Sequence, residues 1–315
     1  MRTIGQFRLS EADALTSTVQ EAAEPTPGPG QLLVRTEALG VGLGLLRMLR
    51  AQRDTRSAPV SPGGEMVGAV TAVGEGVTGY GVGDRVGGVV FDGLYAESVL
   101  ALPALVSPVP EDVPAAAALA LVRGGLVALG ALRAGELTTG RSVLVTGAAS
   151  GVGHLAVQLA RAAGAERVVA AVGPTAAAEK AELLRGLGAD AVVRYPDEDW
   201  GAPVDLVLGG VGDDLVQRGV DLLAPHGRLV AFSAGGGSVD AGSLLGGLKT
   251  VTGFSVGLLS RERPELLGAY REELWRFLAD GRLRPVTAEF GFAELDRALA
   301  LVAARANLGR VVLLP

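Results

Sequence analysis

The sequence predicts an α/β protein: a doubly wound parallel sheet joined to a smaller β-rich region. Three observations carry the prediction. Helical and extended segments alternate through the middle of the chain. A strand, a glycine-rich turn and a helix follow one another without interruption over Ser142–Gly164. The first third consists of short Val-rich strands parted by glycines.

In that first third, the turn-rich Pro25–Gly30 opens onto the alternating strand Gln31–Glu37. Glu65–Val73 is a second strand, ending at Gly74, and Asp84–Phe91 is a third, fed by glycines. Strands of this kind suggest a barrel or sandwich. The character changes near Pro110–Ala120. A helical Ala/Leu stretch runs to Arg133, then strand Ser142–Val145, helix Val152–Gly164 and strand Arg167–Val172. Helix Ala176–Leu187, strands Ala191–Arg194 and Val204–Leu208, helix Leu215–Leu223 and strand Arg228–Phe232 continue the alternation, which indicates a parallel sheet covered on both faces. Glu265–Asp280 is an amphipathic helix. A β-rich return through Phe290 and Arg310–Leu314 rejoins the first region, so the expected division is residues 1–115 with 283–315, and residues 116–282.

Composition narrows the function. With 49% hydrophobic and 20% charged residues, the 315-residue chain has ample material for packed cores. A net charge of −6 argues against a nucleic-acid partner held through phosphates. There is no Cys, and His154 and His226 are the only histidines, so thiolate chemistry, disulfides and three-His metal sites are excluded. The start, Met1–Gln6, is not a signal sequence, and the Pro114–Gly130 run only approaches a membrane span. The expectation is a soluble cytoplasmic protein with no membrane partner.

The most specific element is SVLVTGAASGVGHLAVQLARAAG, Ser142–Gly164. Gly151 and Gly153 remove Cβ atoms where a pyrophosphate approaches the backbone and where helix meets strand. The free amides and dipole of the helix start then bind negative charge, which reads as dinucleotide binding. The strand after it, Arg167–Val172, ends in Ala171-Val172-Gly173 without the carboxylate an NAD-specific site places there; the first is Glu179. Lys180 follows, either beside the 2′-phosphate of NADP(H) or as a solvated lysine on a helix face.

These residues, with the N-terminal pattern, resemble the medium-chain dehydrogenase/reductase superfamily, specifically its zinc-free quinone oxidoreductase and enoyl reductase branch. PGGEMVGAVTAVGEGVTGYGVGDRV (Pro62–Val86) looks like the family's P-G-x-E-x-x-G-x-V-x-x-V-G…G-D-R-V signature, and Thr146–Gly153 takes the place of its A-A-x-G-x-V-G turn. LGADAVVRY (Leu187–Tyr195), VDLVLGGVG (Val204–Gly212) and GRVVL (Gly309–Leu313) match further segments in order. The resemblance implies a GroES-like substrate domain built from both chain ends, a Rossmann domain between them, and hydride transfer from NADPH in the cleft. By the same resemblance Ser150, Gly151, Val152 and Gly153 border the pyrophosphate, and Gly173, Lys180 and Tyr195 the 2′-phosphate. Phe232, Ser233, Ala234, Phe254, Ser255 and Arg310 surround the nicotinamide half. Zinc-dependent relatives carry G-H-E where this chain has Gly63-Gly64-Glu65, so no zinc is expected and Glu65 reads as structural.

Departures fall where chemistry is expected. The family's G-V-N reads Gly40-Val41-Gly42, a position often Tyr is Arg47, and L-T-A-Y reads Leu126-Val127-Ala128-Leu129. Gly42, Leu45 and Val127 therefore line a greasy pocket with few donors. Arg47 and Arg123 are the catalytic candidates, to be weighed against exposed arginines on a helix. A short-chain dehydrogenase would also fit TGAASGVG, but it needs Lys four residues after a catalytic Tyr; Tyr80, Tyr95, Tyr195 and Tyr270 are followed there by Asp84, Val99, Asp199 and Leu274. His154 reads as a residue packed in the nucleotide domain, and His226 as a surface turn. Two functions remain: an NADPH-dependent reductase of a conjugated carbonyl, with a small hydrophobic substrate, and a cofactor-binding protein that has lost redox chemistry. A homodimer through an edge strand at Val251–Val256 is expected.

Overall fold

The chain opens with an antiparallel pair, β1 (Arg2–Leu9) and β2 (Leu15–Glu21). The computed structural model describes residues 1–11, 14–55, 61–233 and 235–315. These fall into two units: Met1–Arg123 with Thr287–Pro315, and Gly124–Val286.

In the first unit, β3 (Leu32–Val41) is ten mostly apolar residues buried over most of its length. Helix α1 (Leu43–Thr55) follows, buries Leu45, Leu46 and Leu49, and leaves Arg47 exposed. Strands β4 (Gly64–Val73), β5 (Arg85–Val90), β6 (Ser98–Ala101) and β7 (Val106–Pro108) continue the sheet. A long helix then begins as α2 (Ala115–Leu119), widens into a π-helical turn over Ala120–Gly125 and ends as α3 (Leu126–Ala134), which belongs to the second unit. Among the described residues this is the helix long and apolar enough to cross a membrane; 78% of its most apolar window is buried, as in a core helix.

The second unit begins its sheet with β8 (Ser142–Thr146), followed by α4 (Gly153–Ala162), β9 (Arg167–Val172), α5 (Ala177–Gly186) and β10 (Ala191–Arg194). After them come β11 (Val204–Gly209), α6 (Asp214–Asp221), β12 (Leu223–Ala231), α7 (Gly242–Leu245), β13 (Thr250–Gly253), α8 (Val256–Glu262) and α9 (Pro264–Ala279). The six strands pair in the order β10-β9-β8-β11-β12-β13, all parallel. The winding direction reverses between β8 and β11, which is the Rossmann arrangement, and ligands of such sheets sit beyond the carboxyl ends of the strands at that reversal. Leu144, Val169, Val207, Val220 and Leu229 fill the core on one side.

The chain returns to the first unit as β14 (Thr287–Gly291), α10 (Leu295–Ala303) and β15 (Arg310–Leu314), completing a sheet ordered β14-β15-β3-β4-β5-β7 with β6 also on β3. The doubly wound sheet and the β-rich unit match the predicted fold class. Three local readings change. Helix α10 occupies a stretch read only as part of a β return; its Leu295, Ala298, Leu299 and Val302 form one buried face. The turn read at Pro225–Gly227 lies inside β12 as a bulge, with His226 at φ 63° and the pairing jumping from Val204–Leu223 to Leu206–Arg228. The edge strand stops at Gly253 because Ser255 caps a helix, its Oγ accepting from the Leu258 amide.

Candidate functional site

At the end of β8 the backbone turns through Gly147 (φ 63°) and enters α4 at Gly153. A Cβ on Gly153 would stand 2.2 Å from the Gly147 carbonyl oxygen, so only glycine lets the helix start this close to the strand. Five amides of the turn have acceptors within the protein. Gly147 donates to the Tyr195 hydroxyl (2.8 Å), Ala148 to Ala171 O (3.2 Å) and Ser150 to Gly147 O (2.9 Å). Gly153 donates to Ser150 Oγ (3.1 Å) and His154 to Ser150 O (3.2 Å). The Gly151 and Val152 amides at the helix start, like that of the buried Ala149 before them, have no protein acceptor among the described residues. Two unpaired N–H groups at a helix start, at the reversal point of a parallel sheet, fit a diphosphate. Of the predicted cofactor residues, Ser150, Gly151, Val152 and Gly153 thus come together in one turn.

Thr146 ties the two strands at the reversal: its hydroxyl donates to Leu208 O (3.3 Å) and accepts from the Gly210 amide (3.0 Å). Phe232 packs its ring against Gly210, and Phe254 lays its ring over Gly130. Ser233 is half-buried, Ser255 is exposed as a helix cap, and Ala234 lies outside the described residues. Beyond β9, Gly173 sits against the Tyr195 ring, and no carboxylate stands between Val172 and the exposed Glu179. Lys180 is 5% exposed and donates from Nζ to Thr175 O (2.6 Å), so it is neither solvated nor lying on a helix surface. Tyr195 buttresses the turn itself, a contact its sequence position gave no sign of.

In the first unit the register of β3 against β4 and β15 sets Gly40 beside the Glu65 end of β4 and opposite Val312. Over it the Glu65 carboxylate meets two arginines: Oε2 accepts from Arg310 Nη2 (2.7 Å) and Oε1 from Arg123 Nη1 (2.9 Å). Arg310 Nη1 also donates to Val41 O (2.9 Å). A Cβ on Gly40 would lie 2.0 Å from Arg310 Nη2, and one on Gly42 3.0 Å from Nη1. The paired glycines leave the space the guanidinium fills. Burial alone would raise the Glu65 carboxyl; Arg310 and Arg123 outweigh it and hold it below the usual carboxylate range. Glu65 is thus the anchor of a charged cluster, and Arg310 is engaged within the first unit. Arg123 keeps 53% of its side chain exposed. Arg47 is exposed on α1 without an ion pair among the described residues, Leu45 is buried in the first unit's core, and Val127 is 9% exposed in α3.

His154, on the first turn of α4, is fully buried. Its Nδ1 is 2.8 Å from Ser150 O, and its Nε2 accepts from the Val286 amide (3.0 Å). Gln158, one turn on, donates to Arg284 O (3.1 Å) and accepts from the Arg284 amide (2.8 Å).

Residues 28–111 match the alcohol dehydrogenase GroES-like domain family, and residues 151–272 the zinc-binding dehydrogenase family. Together they define a two-part dehydrogenase. The quinone oxidoreductase of Pseudomonas aeruginosa is 34% identical over 317 residues, covering 92% of each chain. The crystal structure of Escherichia coli quinone oxidoreductase complexed with NADPH matches all of both chains, with a TM-score of 0.87 and 26% identity. A phenolphthiocerol/phthiocerol polyketide synthase of Mycobacterium tuberculosis is 33% identical over 96% of this chain, which spans 14% of that protein. The chain belongs to the medium-chain dehydrogenase/reductase superfamily, in its quinone oxidoreductase and enoyl reductase branch.

The name of the second matching family raises the question of zinc. The donors do not fit it: there is no Cys, both ring nitrogens of His154 are engaged, and among the described residues no three His, Asp or Glu side chains cluster.

Two outcomes follow. Glu65→Gln leaves the Arg310 guanidinium mostly buried without its counter-ion, and thermal unfolding will show a loss of about 3–5 kcal/mol. Burial lowers the His154 pKa to about 4, with the Ser150 hydrogen bond opposing, against 6.5 when exposed. The unfolded chain therefore binds a proton that the folded chain refuses between those values. Stability from this residue is complete above pH 6.5 and drains by about 3 kcal/mol as pH falls to 4. Urea titrations will show a flatter pH dependence across that window in His154→Leu.

Proposed function

We propose that this chain, an NADPH-dependent oxidoreductase of its branch, reduces a conjugated carbonyl (a quinone, an enone or an enoyl thioester, including polyketide-type intermediates) without zinc. One observation carries the reading: the two unpaired amides at Gly151 and Val152, at the reversal point of the parallel sheet. The NADPH complex of the E. coli relative and the polyketide synthase stretch support the cofactor and the thioester class respectively.

NADPH, when bound, supplies the hydride. Reduction of an enone leaves negative charge on the carbonyl oxygen, and a fixed donor there is worth about 3–4 kcal/mol. Arg123 is the candidate that meets this need. Its Nη1 is held by Glu65, which fixes the guanidinium while most of the side chain remains open. Arg47 has no such anchor. Lys180, Tyr195 and Gly173 serve the 2′-phosphate end through the shape of the loop after β9.

A second reading, a cofactor-binding protein without redox turnover, is favoured by the absence of a hydroxyl or amide side chain at Gly42, Val127 and Leu129. Following NADPH absorbance with a panel of quinones, enones and enoyl thioesters separates the two: turnover on one acceptor class is expected, and tight NADPH binding with none would support the second. Arg123→Met will lower kcat about 100-fold while NADPH affinity holds. The exposed edge strand β13 supports a homodimer, so light scattering at micromolar concentration will give twice the chain mass; a monomer overturns that part.

A further inference from the structure

His154 is buried, titratable and not used in the chemistry above, yet each ring nitrogen meets a backbone group. The Val286 amide can only donate, so Nε2 accepts and the ring proton must sit on Nδ1, facing the Ser150 carbonyl at 2.8 Å. That carbonyl also accepts the His154 amide at 3.2 Å. Two donors from one residue therefore fix the plane of the Ser150–Gly151 peptide. In a trans peptide the N–H points opposite to the C=O. Fixing the Ser150 oxygen toward the helix interior directs the Gly151 N–H away from it, and this is one of the turn's amides without a protein acceptor among the described residues. The ring is anchored in turn, since Gln158 pairs both backbone groups of Arg284, two residues before Val286.

We propose that His154 is a positioning residue for the cofactor's diphosphate, aiming the Gly151 amide by clamping the Ser150 carbonyl through Nδ1 while Val286 holds the opposite side of the ring. The inference rests on the dinucleotide reading of the turn and adds a residue to it. Histidine is suited to the task because one rigid ring carries a donor and an acceptor on opposite edges. Neutrality is required, because a second ring proton would confront the Val286 amide with a donor.

Calorimetry on three proteins with two ligands tests it. His154→Asn places an amide donor near the position of Nδ1, whereas His154→Gln places an acceptor near Nε2 and loses the donor to Ser150. NADPH affinity is expected to fall about tenfold in the Gln variant and to stay near wild type in the Asn variant. Affinity for 2′-AMP, which lacks the diphosphate, should be unchanged in both. Equal NADPH affinity in all three proteins overturns the proposal, as does a parallel loss of NADPH and 2′-AMP binding. If wild type binds neither NADPH nor NADH, the cofactor reading itself falls, and this inference with it. Nitrogen-15 NMR of histidine-labelled wild type needs no variant. A proton on Nδ1 whose resonance moves on adding NADPH supports the assignment, and a proton on Nε2 refutes it.

Discussion

The second unit depends on how closely α4 can begin to β8. With a 2.2 Å gap to any Cβ at Gly153, the helix start is pressed against the strand it follows. Its first amides must then be satisfied by the turn or left for a ligand. Ser150 does most of the local work, through its amide, hydroxyl and carbonyl, and the amides left over at the helix start, Gly151 and Val152, are adjacent in sequence. A binding site of this kind is made of backbone, which explains why its side chains are so small and why its geometry depends on neighbours such as Tyr195 and His154.

The first unit solves a different problem, keeping charge inside a greasy strand layer. Glu65 meets two guanidiniums over a glycine, and the sheet register delivers Glu65 and Arg310 to that point. The Gly40-Val41-Gly42 sequence that looks like a loss of polar function is, in space, the room a guanidinium needs. Beside it the Tyr95 hydroxyl donates to Gly40 O (3.0 Å), and burial raises that phenol's pKa so that it remains a donor.

Much of the architecture was readable in the chain. The alternation from Ser142 to Phe232 and the strand–turn–helix at its head were strong because period and punctuation agreed. Strands Arg167–Val172 and Ala191–Arg194 fall at the bounds read from the sequence, each around a Val-Val pair. What could not be read depends on contacts distant in sequence. The Glu65–Arg310 pair joins residues 245 apart, and Gly147–Tyr195 joins residues 48 apart. Lys180 is polar by type and buried by location, a combination that periodicity does not reveal. Helix α10 was hidden because its short Leu/Ala pattern lies between two strands. The family signatures supplied the roles, and geometry alone could supply the partners.

Tyr195 follows directly on β10, the neighbour of the strand that ends just before Gly173, and its hydroxyl is also the acceptor for the first amide of the phosphate turn. With the 2′-phosphate end placed as proposed, one phenol belongs to two recognition tasks, discrimination at the adenosine ribose and grip on the charged linkage. Attempts to switch the coenzyme preference of this protein by redesigning the Arg194-Tyr195 corner will disturb how firmly either coenzyme is held, so selectivity and tightness are inherited together and cannot be tuned one at a time.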